Sequence, residues 1–579
     1  MEHNAIIEID SLSYRYPKGR NLSLKEVNYR VKAPKFTAIM GPTGAGKTTL
    51  TAVLNGLIPQ LYEGNIKGRV LVQGMDTQKF RIQTLVSNVG LVMQDPETQI
   101  FGITVQEDVA FGPSNLGLNM ETIKERIPEA LKAVRLEGYE DRLTSELSGG
   151  EKQRLAIAGV LAMQPEVLVL DEPTSELDPV GRSEIYAVVD RLRRHGNLTV
   201  LAVEHSSEDI AMRADEVLVI NDGKVVWQGE PRLLFCNAPL LQSVGVRPPQ
   251  VSEYGWQLYQ QGLIEQADIP LTVEEAAAVT RKILSDRTIP ASSKSVSVKN
   301  KRPDSDSPVA VEIKDLHHDY GSVQALRGVN LTIKRGEFVA LVGQNGAGKT
   351  TLVKHLNNLL QPTTGEVYVD GVSTAGQSIG DLSRRVGYVF QNPDHQIFCS
   401  TVREEITYGL RHLDLSSDEI EQKVQEVLGF VGLKGVTERH PFTLGKGERQ
   451  RLAVASILAM EPNILVVDEP TTGQDWAGAQ DMMNLIRNLN REGHTIIMIT
   501  HDMPIVAEYA QRVVVMHRGQ IISDGTPAEV FCQENVLHQA SLVPPQITQL
   551  AIALADVGMP ADVITVDQAV ELVTAAACD

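Results

Sequence analysis

The sequence is poor in cysteine: four in 579 residues (Cys236, Cys399, Cys532 and Cys578), scattered and with no C-x-x-C pair. Structural zinc and iron–sulfur centres need clustered thiolates, so this spacing argues against both, and reduced thiols in the cytosol are the expectation. Long apolar runs are missing too. No stretch reaches the roughly 18 residues a bilayer-spanning helix needs, so no segment is expected to cross a membrane unaided. The first residues, Met1-Glu-His-Asn-Ala-Ile-Ile-Glu-Ile-Asp10, have no basic region followed by an apolar core, and no signal peptide is expected. Basic residues are in deficit, with 54 Lys and Arg against 73 Asp and Glu, a net charge of −19. A chain that acidic is poorly suited to broad binding of a nucleic-acid backbone. The hydrophobic fraction of 42% and charged fraction of 22% are those of an ordinary soluble protein. The length suggests about four domain-sized units, each long enough to bury its own core.

What is present is organised around one stretch. Gly41, Pro42, Thr43, Gly44, Ala45, Gly46, Lys47, Thr48 and Thr49 fit G-x-x-x-x-G-K-[ST], the phosphate-binding loop. Apolar Phe36–Met40 reads as a buried strand before it and Leu50–Leu54 as a helix after it. In that setting glycines let successive backbone N–H groups point inward at an anion, and the helix N-terminus adds partial positive charge. Lys47 can reach the β- and γ-phosphates, and the Thr48 hydroxyl can ligate Mg²⁺. The loop recurs as Gly343, Gln344, Asn345, Gly346, Ala347, Gly348, Lys349, Thr350 and Thr351, again after an apolar strand, Phe338–Val342.

The recurrence is general. Gln94-Asp-Pro-Glu-Thr-Gln-Ile-Phe101 returns as Gln391-Asn-Pro-Asp-His-Gln-Ile-Phe398 and Asp171 as Asp468, both 297 positions on. His205 returns as His501, and Pro248-Pro-Gln250 as Pro544-Pro-Gln546, both 296 positions on. Spacing this steady means two copies of one fold. Each copy opens on a β-like segment, Ala5–Ile9 and Val309–Ile313. Helical regions (Glu121–Val134, Asp418–Val431) precede strand-like Val167–Leu170 and Ile464–Val467. Apolar strands alternating with helices predict a parallel sheet covered on both faces. Each copy ends in an extra segment, 235–284 and 531–579, most simply a small helical appendage on its own domain. Residues 285–308, rich in Ser, Lys, Asp and Pro, read as a flexible linker. His317 and His318 read as part of a solvated turn.

Five further elements surround the loop in each copy. Asp171 and Asp468 end apolar strands, where a carboxylate can hold Mg²⁺ through water, and the following Glu172 and Glu469 are placed to polarise an attacking water. Gln94 and Gln391 can touch the metal or that water. His205 and His501 follow strands Val200–Val203 and Thr495–Ile499 and can hydrogen-bond a γ-phosphate. The fifth element, Leu147-Ser148-Gly149-Gly150-Glu151, opens a helix and forms a second anion site. One domain already surrounds the phosphates with its own loop, so this second site predicts a face-to-face pair with two nucleotides between the copies.

This order of motifs resembles the nucleotide-binding domains of ABC transporters, over nearly the whole chain and twice. The tract from Gln94 to Phe101, followed by Glu107-Asp-Val-Ala-Phe-Gly-Pro113, is similar to ATPase subunits of energy-coupling factor importers for vitamins and transition metals. The Pro-Pro-Gln segments resemble the C-terminal regions of those ATPases. The resemblance implies an α/β fold: two tandem P-loop NTPase (ABC ATPase) domains, each with a mostly parallel sheet, a helical subdomain and a small C-terminal extension. The expected boundaries are 1–234 and 309–530 for the cassettes, 235–284 and 531–579 for the extensions, and 285–308 for the linker. It further implies ATP and Mg²⁺ as cofactors, and ATP hydrolysis driving a transmembrane coupling subunit and a small substrate-binding membrane subunit. The expected location is peripheral, at the cytoplasmic face of the cell membrane, with no nucleic-acid partner. Tyr16 and Tyr320 correspond to the aromatics that stack on adenine, and Asp178 and Asp475 to aspartates that communicate between the two sites.

The second copy departs from the pattern at its signature, where Leu444-Gly445-Lys446-Gly447-Glu448 replaces Leu147–Glu151. Gly445 lacks the hydroxyl that would meet the γ-phosphate, and Lys446 puts a long side chain where close backbone approach wants glycine. Signatures of this kind act on the partner copy's nucleotide. The site of Lys349 with Ser148–Gly150 is therefore expected to be complete, and that of Lys47 with Gly445–Gly447 compromised. Two other readings remain open: a soluble twin ATPase of translation or ribosome recycling, and the ATPase of a conventional importer fed by a binding protein. The first resembles chains with a long charged helical connector or an N-terminal cysteine cluster, and neither is present. The Gln94–Phe101 tract disfavours the second.

Overall fold

The computed structural model describes residues 5–578 except 18, 20, 33, 176, 196–197, 286, 290–305, 322 and 414. Most of the linker expected at 285–308 thus lies outside the described residues. Two compact units are present, 1–252 and 253–579.

In the first unit the strands are β1 (Ile7–Arg15), β2 (Leu24–Val31), β3 (Phe36–Met40), β4 (Asn65–Val72), β5 (Met75–Asp76), β6 (Val89–Val92), β7 (Val167–Asp171), β8 (Thr199–Val203), β9 (Glu216–Asn221) and β10 (Lys224–Gly229). They form a six-stranded sheet, β10-β9-β3-β8-β7-β6, and a four-stranded sheet, β2-β1-β4-β5. The larger sheet is parallel from β9 to β6, with β10 antiparallel at its edge. Strands β3, β7 and β8 are buried at every position. Their side chains alternate between two cores. Ile39, Val167, Val169, Leu201 and Val203 pack with the helix Lys47–Leu54 and the small sheet. Phe36, Leu168, Leu170, Val200 and Ala202 pack with residues of the helices Gly149–Leu161 and Pro179–His195. Both faces being covered is why these strands read as unbroken apolar runs. The helix expected at Glu121–Val134 runs Met120–Ala133.

The small antiparallel sheet is not anticipated by the sequence reading beyond the short segment at its start. Its strands present one face to solvent: β2 alternates buried and exposed, with Glu26, Asn28 and Arg30 outward. That alternation carries no apolar run.

The second unit repeats the plan with β11 (Val309–Tyr320), β12 (Val323–Lys334), β13 (Phe338–Val342), β14 (Thr364–Val369), β15 (Val372–Ser373), β16 (Val386–Val389), β17 (Ile464–Asp468), β18 (Thr495–Ile499), β19 (Arg512–His517) and β20 (Gln520–Gly525). The sheet orders are β12-β11-β14-β15 and β16-β17-β18-β13-β19-β20. His318, expected in a solvated turn, is instead buried on β11, where its Nδ1 lies 3.1 Å from Nε2 of the fully buried His355. A strand seven residues longer than its apolar start, Val309–Ile313, carries it into the core.

The appendage following the first cassette does not simply pack on its own domain: from Glu253 onward it belongs to the second unit. There the helix Val273–Leu284 packs on Gln546–Ala553 and Val566–Cys578. Arg281 Nη2 donates to the Ala553 carbonyl at 2.7 Å and Arg281 Nε to Asp556 at 3.2 Å. The Ile289 amide donates to Val557 O at 2.9 Å. The glutamines of both Pro-Pro-Gln segments, Gln250 and Gln546, open helices and are buried.

Candidate active site

In each cassette a buried central strand delivers the phosphate loop onto a helix. The turn after β3 demands glycine at its first position: Gly41 has φ 143°, and a Cβ there would sit 1.9 Å from the Ile220 carbonyl oxygen. Gly343 after β13 repeats this, with φ 148° and Met516 O at 2.2 Å. The loops curl through Pro42–Gly46 and Gln344–Gly348, with Ala45 N donating to Pro42 O and Ala347 N to Gln344 O, both at 3.1 Å. Lys47 opens its helix and folds back over the loop, its Nζ donating to Gly41 O (2.8 Å) and Pro42 O (3.0 Å). Lys349 does the same to Gly343 O (2.7 Å) and Gln344 O (2.9 Å). Both lysines are buried. Each ammonium is thereby held at the mouth of its loop, on weak carbonyl acceptors that an anion can replace.

Asp171 and Asp468 are the last residues of β7 and β17, as the sequence predicts. Asp171 meets the Thr48 hydroxyl, and Thr51 Oγ1 lies 3.4 Å from its Oδ2. Thr350 Oγ1 donates to Asp468 Oδ2 at 3.2 Å. Burial pushes the Asp171 carboxyl up to about 6, against the opposing effects of Thr48 and Lys47. Burial raises Asp468 as well. Asp171 Oδ1 is buried and meets no hydrogen-bond donor. A buried carboxylate oxygen left bare, beside a threonine hydroxyl and a phosphate loop, is a donor set that fits Mg²⁺.

Glu172 and Glu469, the next residues, hold left-handed backbone, with φ of 50° and 48°. Such strain in a non-glycine residue gathers at functional sites, and no sequence pattern announced it. His205 Nε2 lies 3.0 Å from Glu172 Oε1, and His501 Nδ1 2.9 Å from Glu469 Oε1. Burial raises the Glu469 carboxyl, but His501 and Lys349 more than offset this and hold it below the usual range. Gln94 Nε2 donates to Glu172 Oε2 at 2.9 Å, so in the first cassette the predicted glutamine, glutamate and histidine form one chain. In the second, Gln391 is exposed.

Tyr16 is 37% and Tyr320 50% exposed, open to a stacking partner, whereas neighbouring Tyr14 is fully buried with its hydroxyl on Glu63 O. Tyr16 OH lies 3.3 Å from Thr49 Oγ1. Asp178 Oδ1 and Asp475 Oδ1 each accept from a backbone N–H at 2.8 Å, those of Gly181 and Gly478. Ser148 caps the helix Gly149–Leu161 and donates its hydroxyl to Glu151 at 2.8 Å. Gly445 has no such hydroxyl, and only its amide meets Glu448, at 2.8 Å. Lys446 and Gly447 begin the helix Lys446–Leu458.

The tracts after the glutamines end in exposed aromatics on buried carboxylates. Asp108 Oδ1 accepts the amides of Phe101 (2.8 Å) and Gly102 (3.0 Å), and Glu405 Oε2 those of Phe398 (3.1 Å) and Cys399 (2.8 Å). Phe101 stacks on Phe111 and Phe398 meets Tyr408 edge-on. Phe101 is 66% and Phe398 63% exposed.

The family model described as ABC transporter matches residues 24–175 and 326–472. The chain belongs to the ABC transporter family. A relative from Caldanaerobacter subterraneus subsp. tengcongensis, provisionally described as an ABC transporter ATP-binding protein, is 42% identical over 94% of this chain and 95% of its own length. One from Methanosarcina mazei with the same description is 41% identical over 96% of this chain and 95% of its own. Among solved structures, cbiO1 from Clostridium perfringens, part of the ABC transporter complex cbiONQ, is 35% identical over 42% of this chain and 99% of its own, with a TM-score of 0.38. This ABC chain is an ATPase with two cassettes that binds ATP with Mg²⁺. No helix of the described residues is long and apolar enough to cross a membrane.

Proposed function

We propose that the chain is the energy-coupling ATPase of an ECF-type importer for a vitamin or transition metal, peripheral to the membrane at its cytoplasmic face. The reading is carried by the paired exposed aromatics at the ends of the Gln94–Phe101 and Gln391–Phe398 tracts. Apolar rings held outward by buried carboxylates suit insertion of helices from a membrane subunit. The resemblance of those tracts to energy-coupling factor ATPases narrows the importer class.

Two ATP molecules bind between the halves, each half completing the other's pocket: Lys349 with Ser148–Gly150, and Lys47 with Gly445–Gly447. Tyr16 and Tyr320 stack on adenine, and the phosphate-loop N–H groups take the phosphates. Lys47 and Lys349 leave their loop carbonyls for phosphate oxygens. Thr48, Gln94 and Asp171, or Thr350, Gln391 and Asp468, would hold Mg²⁺, which would neutralise charge at the phosphates. Glu172 and Glu469 accept a proton from the attacking water, and His205 and His501 fix those carboxylates while reaching the γ-phosphate. Closure on ATP and reopening after hydrolysis move the helices of the membrane partner.

The test is copurification. Expressed in its host membrane, the wild-type chain carries along a polytopic membrane protein and a small hydrophobic one. A Phe101→Ser, Phe398→Ser double variant loses both yet hydrolyses ATP in solution. Recovery with ribosomes, or retention of the membrane proteins by the double variant, overturns the reading.

A further inference from the structure

The two cassettes hold their strand-end aspartates differently. In the second, Tyr388 on β16 donates its hydroxyl to Asp468 Oδ2 at 2.9 Å. Tyr388 is 6% exposed and packs edge-on against Phe390. In the first, the equivalent position is Leu91: Leu91 pairs in register with Val169 on β7, as Tyr388 pairs with Val466 on β17. No hydroxyl comes from that wall. The nearest substitute is Thr51, at a long 3.4 Å and already committed to Thr48 O at 2.8 Å. The matching residue in the second cassette is Val353, which has no hydroxyl.

We infer that Tyr388 is a positioning residue that fixes the Asp468 carboxylate for the divalent cation and makes the second cassette's metal site the tighter of the two. The inference rests on the reading of Asp468 and Asp171 as metal-facing carboxylates. Tyr388 and Thr350 both donate to Oδ2. Two donors on one oxygen lock the rotation of the carboxylate and leave Oδ1 as the face it presents to the cation and its water. A bond from a hydroxyl to an ionised carboxylate is stronger than a neutral one. Asp171 is held by the Thr48 hydroxyl and only loosely by Thr51, so its carboxylate keeps more freedom to turn, and the ordering still required on cation binding weakens that site. A purely packing role for Tyr388 would need its ring and not its hydroxyl, so Tyr388→Phe separates the two.

Mn²⁺ serves as the probe. The full chain, saturated with a nonhydrolysable ATP analogue, is titrated with Mn²⁺ and the free ion is read by electron paramagnetic resonance. Tyr388→Phe should weaken one of two Mn²⁺ sites by about 10-fold, the low end for partners of metal-facing groups. Analogue affinity in EDTA and the melting temperature should match wild type. Asp468→Asn should weaken the same site further. Wild-type titration by Tyr388→Phe, with one site lost in Asp468→Asn, overturns the inference alone. So does an equal loss of analogue affinity in EDTA, which marks a structural role. Wild-type titration by Asp468→Asn overturns the metal-site reading beneath it.

Discussion

Lys446 lies across Gly473 of its own cassette: a Cβ added at Gly473 would stand 2.3 Å from Lys446 Nζ. Gly473 also has φ 69°. The signature lysine and this glycine are complementary, one long where the other has nothing; the first cassette has Gly149 and Glu176 at the same positions. Gly473→Ala should cost about 1–2 kcal/mol in left-handed strain and push the lysine off its seat. Chemical denaturation of the variant checks the first effect. The signature itself is tested separately in a Gly445→Ser, Lys446→Gly chain carrying Glu469→Gln, where restoring the serine and glycine should raise the residual ATPase, measured at saturating Mg-ATP.

The two glutamates should not be equivalent. The Glu469 carboxyl is held below the usual range because His501 and Lys349 outweigh burial, and in the proposed pairing its nucleotide would meet the intact Ser148 signature. Loss of a general base slows a site by about 10²–10⁴-fold. Steady-state turnover should therefore fall more in Glu469→Gln than in Glu172→Gln. The reverse order would remove the assignment of the complete site to Lys349 and Ser148.

Much of the cassette core was legible because buried parallel strands write themselves as apolar runs: Phe36–Met40 and Phe338–Val342 match the strands residue for residue. The phosphate loops were legible for a different reason, since a carbonyl behind Gly41 leaves room for no other residue. Contacts set by three-dimensional proximity were not. Nothing in the local sequence ties Tyr388 to Asp468, 80 positions on, or Gln94 to Glu172. The strain at Glu172 and Glu469 depends on backbone direction at a strand end, which composition does not encode. The packing of the first extension among the second unit's helices is equally invisible, because an amphipathic helix shows that it has a partner without naming it.

His355 gives the second cassette a sensitivity to acid that the first, with Val53 at that position, lacks. Burial lowers its pKa from the ordinary 6.5, with His318 adding to the effect. The unfolded chain then takes up a proton at 6.5 that the folded chain refuses, so stability is lost as pH falls through 6.5 toward the lower folded value. Melting temperatures of wild type and His355→Val, measured from pH 7.5 to 5.5, should converge on acidification. The variant loses the 2.7 Å bond to Thr351 O and starts lower, but should fall less steeply.

The extension helices separate surface from core contributions. Arg281 and Asp556 are 44% and 59% exposed at their side chains, so Arg281→Ala should leave the unfolding midpoint nearly unchanged despite three drawn bonds. Tyr254 is fully buried, with its hydroxyl 2.7 Å from Thr280 Oγ1, which itself donates to Ala276 O at 2.8 Å. Tyr254→Phe leaves Thr280 with a partner, so about 1 kcal/mol should be lost. Leu550, fully buried on Gln546–Ala553, has no polar contact to lose and only volume. Leu550→Ala should therefore cost the most, about 2–5 kcal/mol. Urea titrations of the full chain that ranked Arg281→Ala above Leu550→Ala would show charge rather than burial holding this helical layer together.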